Sequence, residues 1–193
     1  MTELTGRLID AGSPGWEEAR RNFRSCVDYT KLVPKGVLYC QSAQDVANAV
    51  LWCRENGVPL RVRSGGHSHE AFSVAADALV VDVSEMDAIS VDRQANTARV
   101  GAGVYCLDLH LQLYGVGATL PAASGASVGI AGLALGGGFG VTSRKYGGVP
   151  CKYDVPHLRP SVLRQYAGGA LSGFVSEFQS LDPDHSPQVR WKS

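Results

Sequence analysis

The 193-residue chain predicts an α+β fold, and three observations carry that prediction. A strand, a helix and a second strand follow one another between residues 36 and 63, which favours a parallel arrangement with the helix packed on one face. Two short alternating runs at 89–92 and 97–100, joined by four polar or small residues, carry the signature of a hairpin. Glycine, 23 of 193 residues, is concentrated between Gly101 and Gly148. In such a stretch the backbone rather than side chains makes the close contacts.

Each element has a local reason. Residues 1–36 hold a short helix around Trp16 to Phe23 and then a loop ending at Pro34-Lys35-Gly36. Gly36 to Cys40 is an apolar run short enough for a buried strand. Ser42 is placed as the N-cap of a helix over Ala43 to Asn56, in which Val46, Val50 and Cys53 with Ala49 recur at helical spacing and Asn56-Gly57 forms the stop. Val58 to Arg63 and Ala78 to Val83 are the next strands. After the hairpin, Tyr105 to Tyr114 is an amphipathic helix with Leu107, Leu111 and Tyr114 on one side and Gly115 as its stop. Ala118 to Pro121 is a short extended piece. Val128 to Gly140 holds so much glycine that a regular helix is disfavoured, and a loop wrapped against a ligand is expected instead. Residues 148–193 carry five prolines and little periodicity, with one strand signal at Gly173 to Phe178.

Composition narrows the function classes. Hydrophobic residues at 45% and charged residues at 19% describe a globular chain. Eighteen basic residues balance eighteen acidic ones, without the excess or stripe that a nucleic-acid partner would want. No apolar run reaches the length of a membrane span. The N-terminus lacks the basic flank and apolar stretch of a secretory signal, so a cytoplasmic location is expected. The five cysteines are odd in number and contain no C-x-x-C pair, which fits reduced, mostly buried thiols better than a disulfide framework or a zinc site.

The chemistry-bearing stretch is Arg61-Val62-Arg63-Ser64-Gly65-Gly66-His67-Ser68-His69, which leaves a strand through two consecutive glycines. The glycines allow close approach of the main chain to a ligand, and successive N–H groups in such a turn form a concave anion site. A basic residue precedes the turn and an imidazole follows it, as a phosphate-bearing cofactor would require. His67 and His69 form an H-x-H pair, but beyond Glu70 no third ligand stands near, and a metal site is not expected. The nicotinamide fingerprint fails because Gly101-Ala102-Gly103 lacks its third glycine, and no P-loop Gly-Lys-Ser/Thr occurs. Gly125-Ala126-Ser127-Val128-Gly129 matches G-x-S-x-G, with Asp154 and His157 or Asp182 and His185 in the right chain order for a hydrolase. That elbow needs a firm helix behind it, which glycines 129, 132 and 136–138 oppose.

In order along the chain, these stretches resemble the FAD-binding domain of the vanillyl-alcohol-oxidase-like (PCMH-type) family, most closely its berberine-bridge-enzyme-like branch. The resemblance runs from Arg54-Glu55-Asn56-Gly57-Val58-Pro59 through Arg63-Ser64-Gly65-Gly66-His67-Ser68, Val80-Val81-Asp82-Val83 and Val100-Gly101-Ala102-Gly103. It continues through Val128-Gly129 and Gly136-Gly137-Gly138-Phe139-Gly140 to Ser143-Arg144-Lys145-Tyr146-Gly147; these stretches lie within a resemblance that covers roughly residues 1–147. It implies an FAD-binding domain of two small sheets with flanking helices, and a tail over 148–193 that diverges. FAD would be held by Arg63, Ser64, Gly65, Gly66, His67 and Ser68 in the first block. In the second block Ser127, Val128, Gly129, Gly132, Gly138 and Gly140 would meet it. His67 would carry a covalent bond to the flavin 8α-methyl carbon.

The resemblance further implies a small-molecule substrate, with hydride passing from a C–H or alcohol carbon to the flavin. Bicovalent members have a cysteine where Gly125 stands, so a second link is not expected. Past Gly147 the family pattern is lost, and Cys151-Lys152-Tyr153-Asp154 does not match it. The chain is therefore expected to be incomplete at its C-terminus, and no residue is assigned as a substrate base. The rival expectation is a non-catalytic flavin-binding remnant.

Overall fold

In the computed structural model the described residues are 2–23, 26–95, 97–146, 153–154 and 188–190. Two four-stranded sheets carry the fold. The first is built from β1 (Arg7–Ile9), β2 (Gly36–Tyr39), β3 (Leu60–Arg63) and β4 (Leu79–Asp82) in the order β1-β2-β4-β3. Helix α1 (Trp16–Ala19) precedes β2, and α2 (Ala43–Asn56) joins β2 to β3. β2 and β3 both run parallel to β4 but do not pair with each other, because β4 inserts between them. The crossover thus skips a strand, and β1 pairs antiparallel on the outer side of β2.

The period-2 pattern of a strand explains why β2 and β4 are apolar without interruption. Leu38, Leu79 and Val81 point to α2, where Val46, Ala49 and Cys53 meet them. Val37 and Val80 point to the other face, against Tyr29, Ala71 and Val74. Helix α2 begins with a capping box: the Asp45 N–H donates to Ser42 Oγ while the Ser42 N–H donates to the Asp45 carboxylate. It ends on Gly57, whose φ of 62° is the left-handed closure that a Cβ would resist.

The second sheet pairs β5 (Ile89–Asp92) with β6 (Thr97–Val100) as the expected hairpin. β6 also pairs with β8 (Gln188–Arg190), and β8 with β7 (Tyr153–Asp154), all antiparallel. Two strands from the proline-rich stretch thus enter this sheet, whereas the strand signal at 173–178 lies outside the described residues. Ala98 and Val100 of β6 form a core with Cys106, Leu109 and Leu113 of α3 (Cys106–Gly115), together with Leu120, Ala122 and Ile130.

Helix α3 corrects one expectation. Its buried stripe is Cys106, Leu109 and Leu113, whereas Leu107, Leu111 and Tyr114 are exposed. The named side of the helix is the one facing away from this core. A second correction concerns the expected loop at 128–140: Ile130–Leu135 forms a short helix, α4, with Gly132 inside it. Helix α5 (Ser143–Tyr146) follows. Of the cysteines, Cys40, Cys53 and Cys106 are buried and Cys26 is exposed. Burial pushes the Cys40 thiol up to about 12 and the Cys53 thiol up to about 11.

Candidate functional site at the two glycine-rich loops

The turn after β3 and the start of the second glycine block are in main-chain contact. A Cβ placed on Gly65 would lie 2.3 Å from the Gly129 N, and one placed on Gly129 would lie 2.4 Å from the Gly65 N. Either position would be blocked by backbone, which cannot rotate away. The close approach read from Gly65 is therefore first an approach of loop to loop. Gly66 has the second property expected of the pair, a left-handed φ of 66°. The N–H groups of Gly65, Gly66 and Ser68 donate to no other described residue. Such bare donors in a turn suit a bound anion.

The side chains of the turn take separate directions. Arg63 is turned inward, 6% exposed, and pairs through its Nε with the equally buried carboxylate of Asp82. Its Nη1 donates to the Arg21 carbonyl at 3.2 Å. The guanidinium is thus a structural anchor, and the Arg63 carbonyl is also engaged, accepting the Val83 N–H at 2.8 Å. Ser64 Oγ donates to the Ala102 carbonyl at 2.8 Å, tying the turn to the Gly101–Gly103 segment. Ser68 Oγ accepts the Phe72 N–H at 3.1 Å. His67 Nε2 lies 3.0 Å from Ser127 Oγ, and its ring stacks on Phe23 with centroids 4.1 Å apart and planes 16° apart.

In the second block Val128 packs on the α3 core. Its carbonyl accepts the Cys106 N–H at 2.9 Å, and the Ala126 carbonyl accepts that of Leu107 at 3.1 Å. Gly129 sits in an isolated bridge to Tyr105. Gly138 adopts φ 28° against Leu133, and Gly140 packs on the Ala122 carbonyl. Gly132 differs, for nothing stands within 4 Å of the space that its Cβ would take. The structure therefore joins 63–68 to 127–129, while Gly132, Gly138 and Gly140 follow on and beyond α4.

Three neighbours of the turn were absent from the residues singled out by sequence. Asp82 holds Arg63; its place in the Val80–Val83 run was visible, its pairing was not. Phe23 covers the His67 ring, and its N–H donates to the Gly66 carbonyl at 3.3 Å. Asn22 donates to Ser73 Oγ through Nδ2 and leaves a buried Oδ1 with no partner among the described residues. No sequence signal links residues 22–23 to the turn. The G-x-S-x-G reading also gains a fact: His67 stands beside Ser127, while His157 and His185 lie outside the described residues.

These features fit a dinucleotide whose phosphates need main-chain donors and whose ring carries further polar atoms. Among the described residues no group of three or more His, Cys, Asp and Glu could hold a metal ion, and no helix is long and apolar enough to cross a membrane.

Comparison with known proteins agrees with this geometry. Residues 34–150 match the family described as the FAD binding domain. The FAD-linked oxidoreductase YgaK of Bacillus subtilis is 41% identical over 146 residues, 76% of this chain and 32% of its own length. Among solved structures, 6-hydroxy-D-nicotine oxidase of Arthrobacter nicotinovorans superposes with a TM-score of 0.74 at 29% identity, over 79% of this chain and 33% of that one. The berberine-bridge-enzyme-like protein 1 of Physcomitrella patens does so with a TM-score of 0.72 at 34% identity, over 78% and 32%. The chain spans about a third of the length of the relatives that it matches. A matched domain that holds both glycine blocks, in the order and fold of these flavoproteins, places the chain in the FAD-binding-domain family, with FAD-linked and berberine-bridge-enzyme-like oxidoreductases among its relatives.

Proposed function

We propose that this chain is the cofactor-holding part of an FAD-linked oxidase, acting on a small molecule in the cytoplasm without a nucleic-acid partner. FAD supplies the acceptor for a hydride from a C–H or alcohol carbon and passes the electrons on. The chain's own residues place it. The Gly65, Gly66 and Ser68 N–H groups receive the pyrophosphate, the 127–140 block borders the ring system, and His67 forms the covalent link to the 8α-methyl carbon. The single observation behind this reading is the meeting of the two glycine blocks at Gly65 and Gly129, with His67 beside the junction.

The second reading is a flavin-binding chain without turnover, since none of the described residues is assigned as a substrate base. Acid precipitation of the purified protein separates the cases. Flavin absorbance that stays with the pellet, and is lost in His67→Ala, supports the covalent assignment. Flavin found only in the supernatant limits the site to reversible binding, and a colourless protein sinks the proposal. Oxidation of a small alcohol by the yellow protein distinguishes the oxidase from the silent binder.

A further inference from the structure

We infer that Ser127 is a positioning residue for His67, holding the imidazole in the plane and tautomer from which the flavin link is made; this rests on the function proposed above. The hydroxyl sits 3.0 Å from His67 Nε2 across 60 positions of sequence. It is carried by a loop whose main chain is fixed on both sides. Val128 N–H donates to the Gly125 carbonyl at 3.3 Å, and the Ala126 and Val128 carbonyls are taken by the first turn of α3. Phe23 lies against the ring face, itself tied to the Gly66 carbonyl.

A ring stacked on Phe23 and engaged by Ser127 at Nε2 resists rotation about its last torsion. A neutral imidazole carries a proton on one nitrogen and a lone pair on the other, so a partner at Nε2 bears on what Nδ1 presents. Ser127 can donate or accept, and it thereby couples that choice to the second glycine block. Linkage replaces one hydrogen of the 8α-methyl group by an imidazole nitrogen. An N–C bond forms while the N–H and one C–H break. The electron pair and both hydrogens enter the isoalloxazine, and dioxygen then removes them as hydrogen peroxide.

The test uses the 193-residue protein produced in riboflavin-starved cells, so that it is made without flavin, and mixed with saturating FAD, so that affinity does not enter the rate. Flavin in acid pellets taken over time gives the first-order attachment rate, and 15N NMR of the His67 ring reports its tautomer without any cofactor. Ser127→Ala is expected to slow attachment about five- to tenfold, the effect of one neutral hydrogen bond on a barrier. It also moves the His67 ring signals toward the tautomer mixture of free imidazole, and Ser127→Thr restores both. An unchanged rate or unchanged ring signals in Ser127→Ala overturns the inference. Should the wild-type protein bind no FAD, or His67→Ala still retain flavin in the pellet, the proposed function falls instead. The ring signals alone then decide whether Ser127 holds His67.

Discussion

Helices α2 and α3 are both amphipathic and both pack on a sheet, yet they are specified in different ways. α2 carries its own instructions: Ser42 and Asp45 satisfy its first turn, and Gly57 closes its last. α3 has no side-chain cap at Tyr105, and its C-cap is Val116. Its first N–H groups, those of Cys106 and Leu107, are met by the carbonyls of Val128 and Ala126 from the second glycine block. One helix is therefore capped by residues beside it and the other by a loop that arrives later in the chain. The half of the molecule around α2 can order itself locally, whereas the half around α3 depends on the glycine block being in place.

Four substitutions test that contrast. The largest effect is expected on the α2 side, where Arg63 and Asp82 are buried together. Asp82→Ala strands a buried guanidinium, and urea unfolding should show a loss of about 3–5 kcal/mol. Gly129→Ala forces a Cβ into the Gly65 backbone. A loss of about 1–3 kcal/mol is expected. Amide exchange should quicken at Cys106 and Leu107 while α2 stays protected; equal loosening of both helices would show that the two halves are not separately specified.

Ser42→Ala should remove about 1 kcal/mol, with the loss confined to α2 in exchange measurements. Asp45, the other half of that cap, is buried in part, which raises its pKa. Hydrogen bonds from Thr5, Ser42 and the Gln41 and Ser42 N–H groups outweigh this and leave the carboxyl below its ordinary value. A depressed folded-state pKa means that the cap contributes fully above the unfolded value of 3.8 and is lost as the pH falls through the folded one. The stability difference between wild type and Ser42→Ala should therefore shrink in that acid window. The smallest effect is expected at Gly132, inside α4 with open space at its Cβ. Gly132→Ala should stabilise the protein by about 0.5–1 kcal/mol in thermal unfolding.

The same contrast explains how much of the molecule can be read from its residues. β2, α2, β3, β4 and the hairpin lie where periodicity and caps put them, because their determinants are a few positions apart. The amphipathic character of α3 was legible, but the apolar residues run round the helix. Choosing Leu107, Leu111 and Tyr114 over Cys106, Leu109 and Leu113 needed knowledge of which face meets β6. β1, three residues long, has a pattern too brief to signal a strand. The helix at 130–135 overrides the glycine propensity through its ties to the core at Ile130.

At the candidate site, the close approach of the main chain at Gly65-Gly66 was legible, since consecutive glycines have few other uses. The fate of individual side chains was not. Arg63 looked like a phosphate ligand because a charge beside a glycine turn is ambiguous until its burial with Asp82 is known. The meeting of His67 and Ser127 spans two sheets' worth of chain, and nothing local records it.

The abutment of Gly65 and Gly129 has a consequence for the molecule taken apart. The turn at 93–95 is exposed and lies between the two glycines in sequence. A chain cut there would leave one piece with the histidine and the other with the serine, each lacking the surface on which its glycine rests. Neither fragment could assemble half of the junction, because the entropy of joining the loops is recovered only when both are present. Mixed together, the fragments would regain the His67–Ser127 contact only as a one-to-one pair, which makes this junction a natural point for a split-protein complementation reporter.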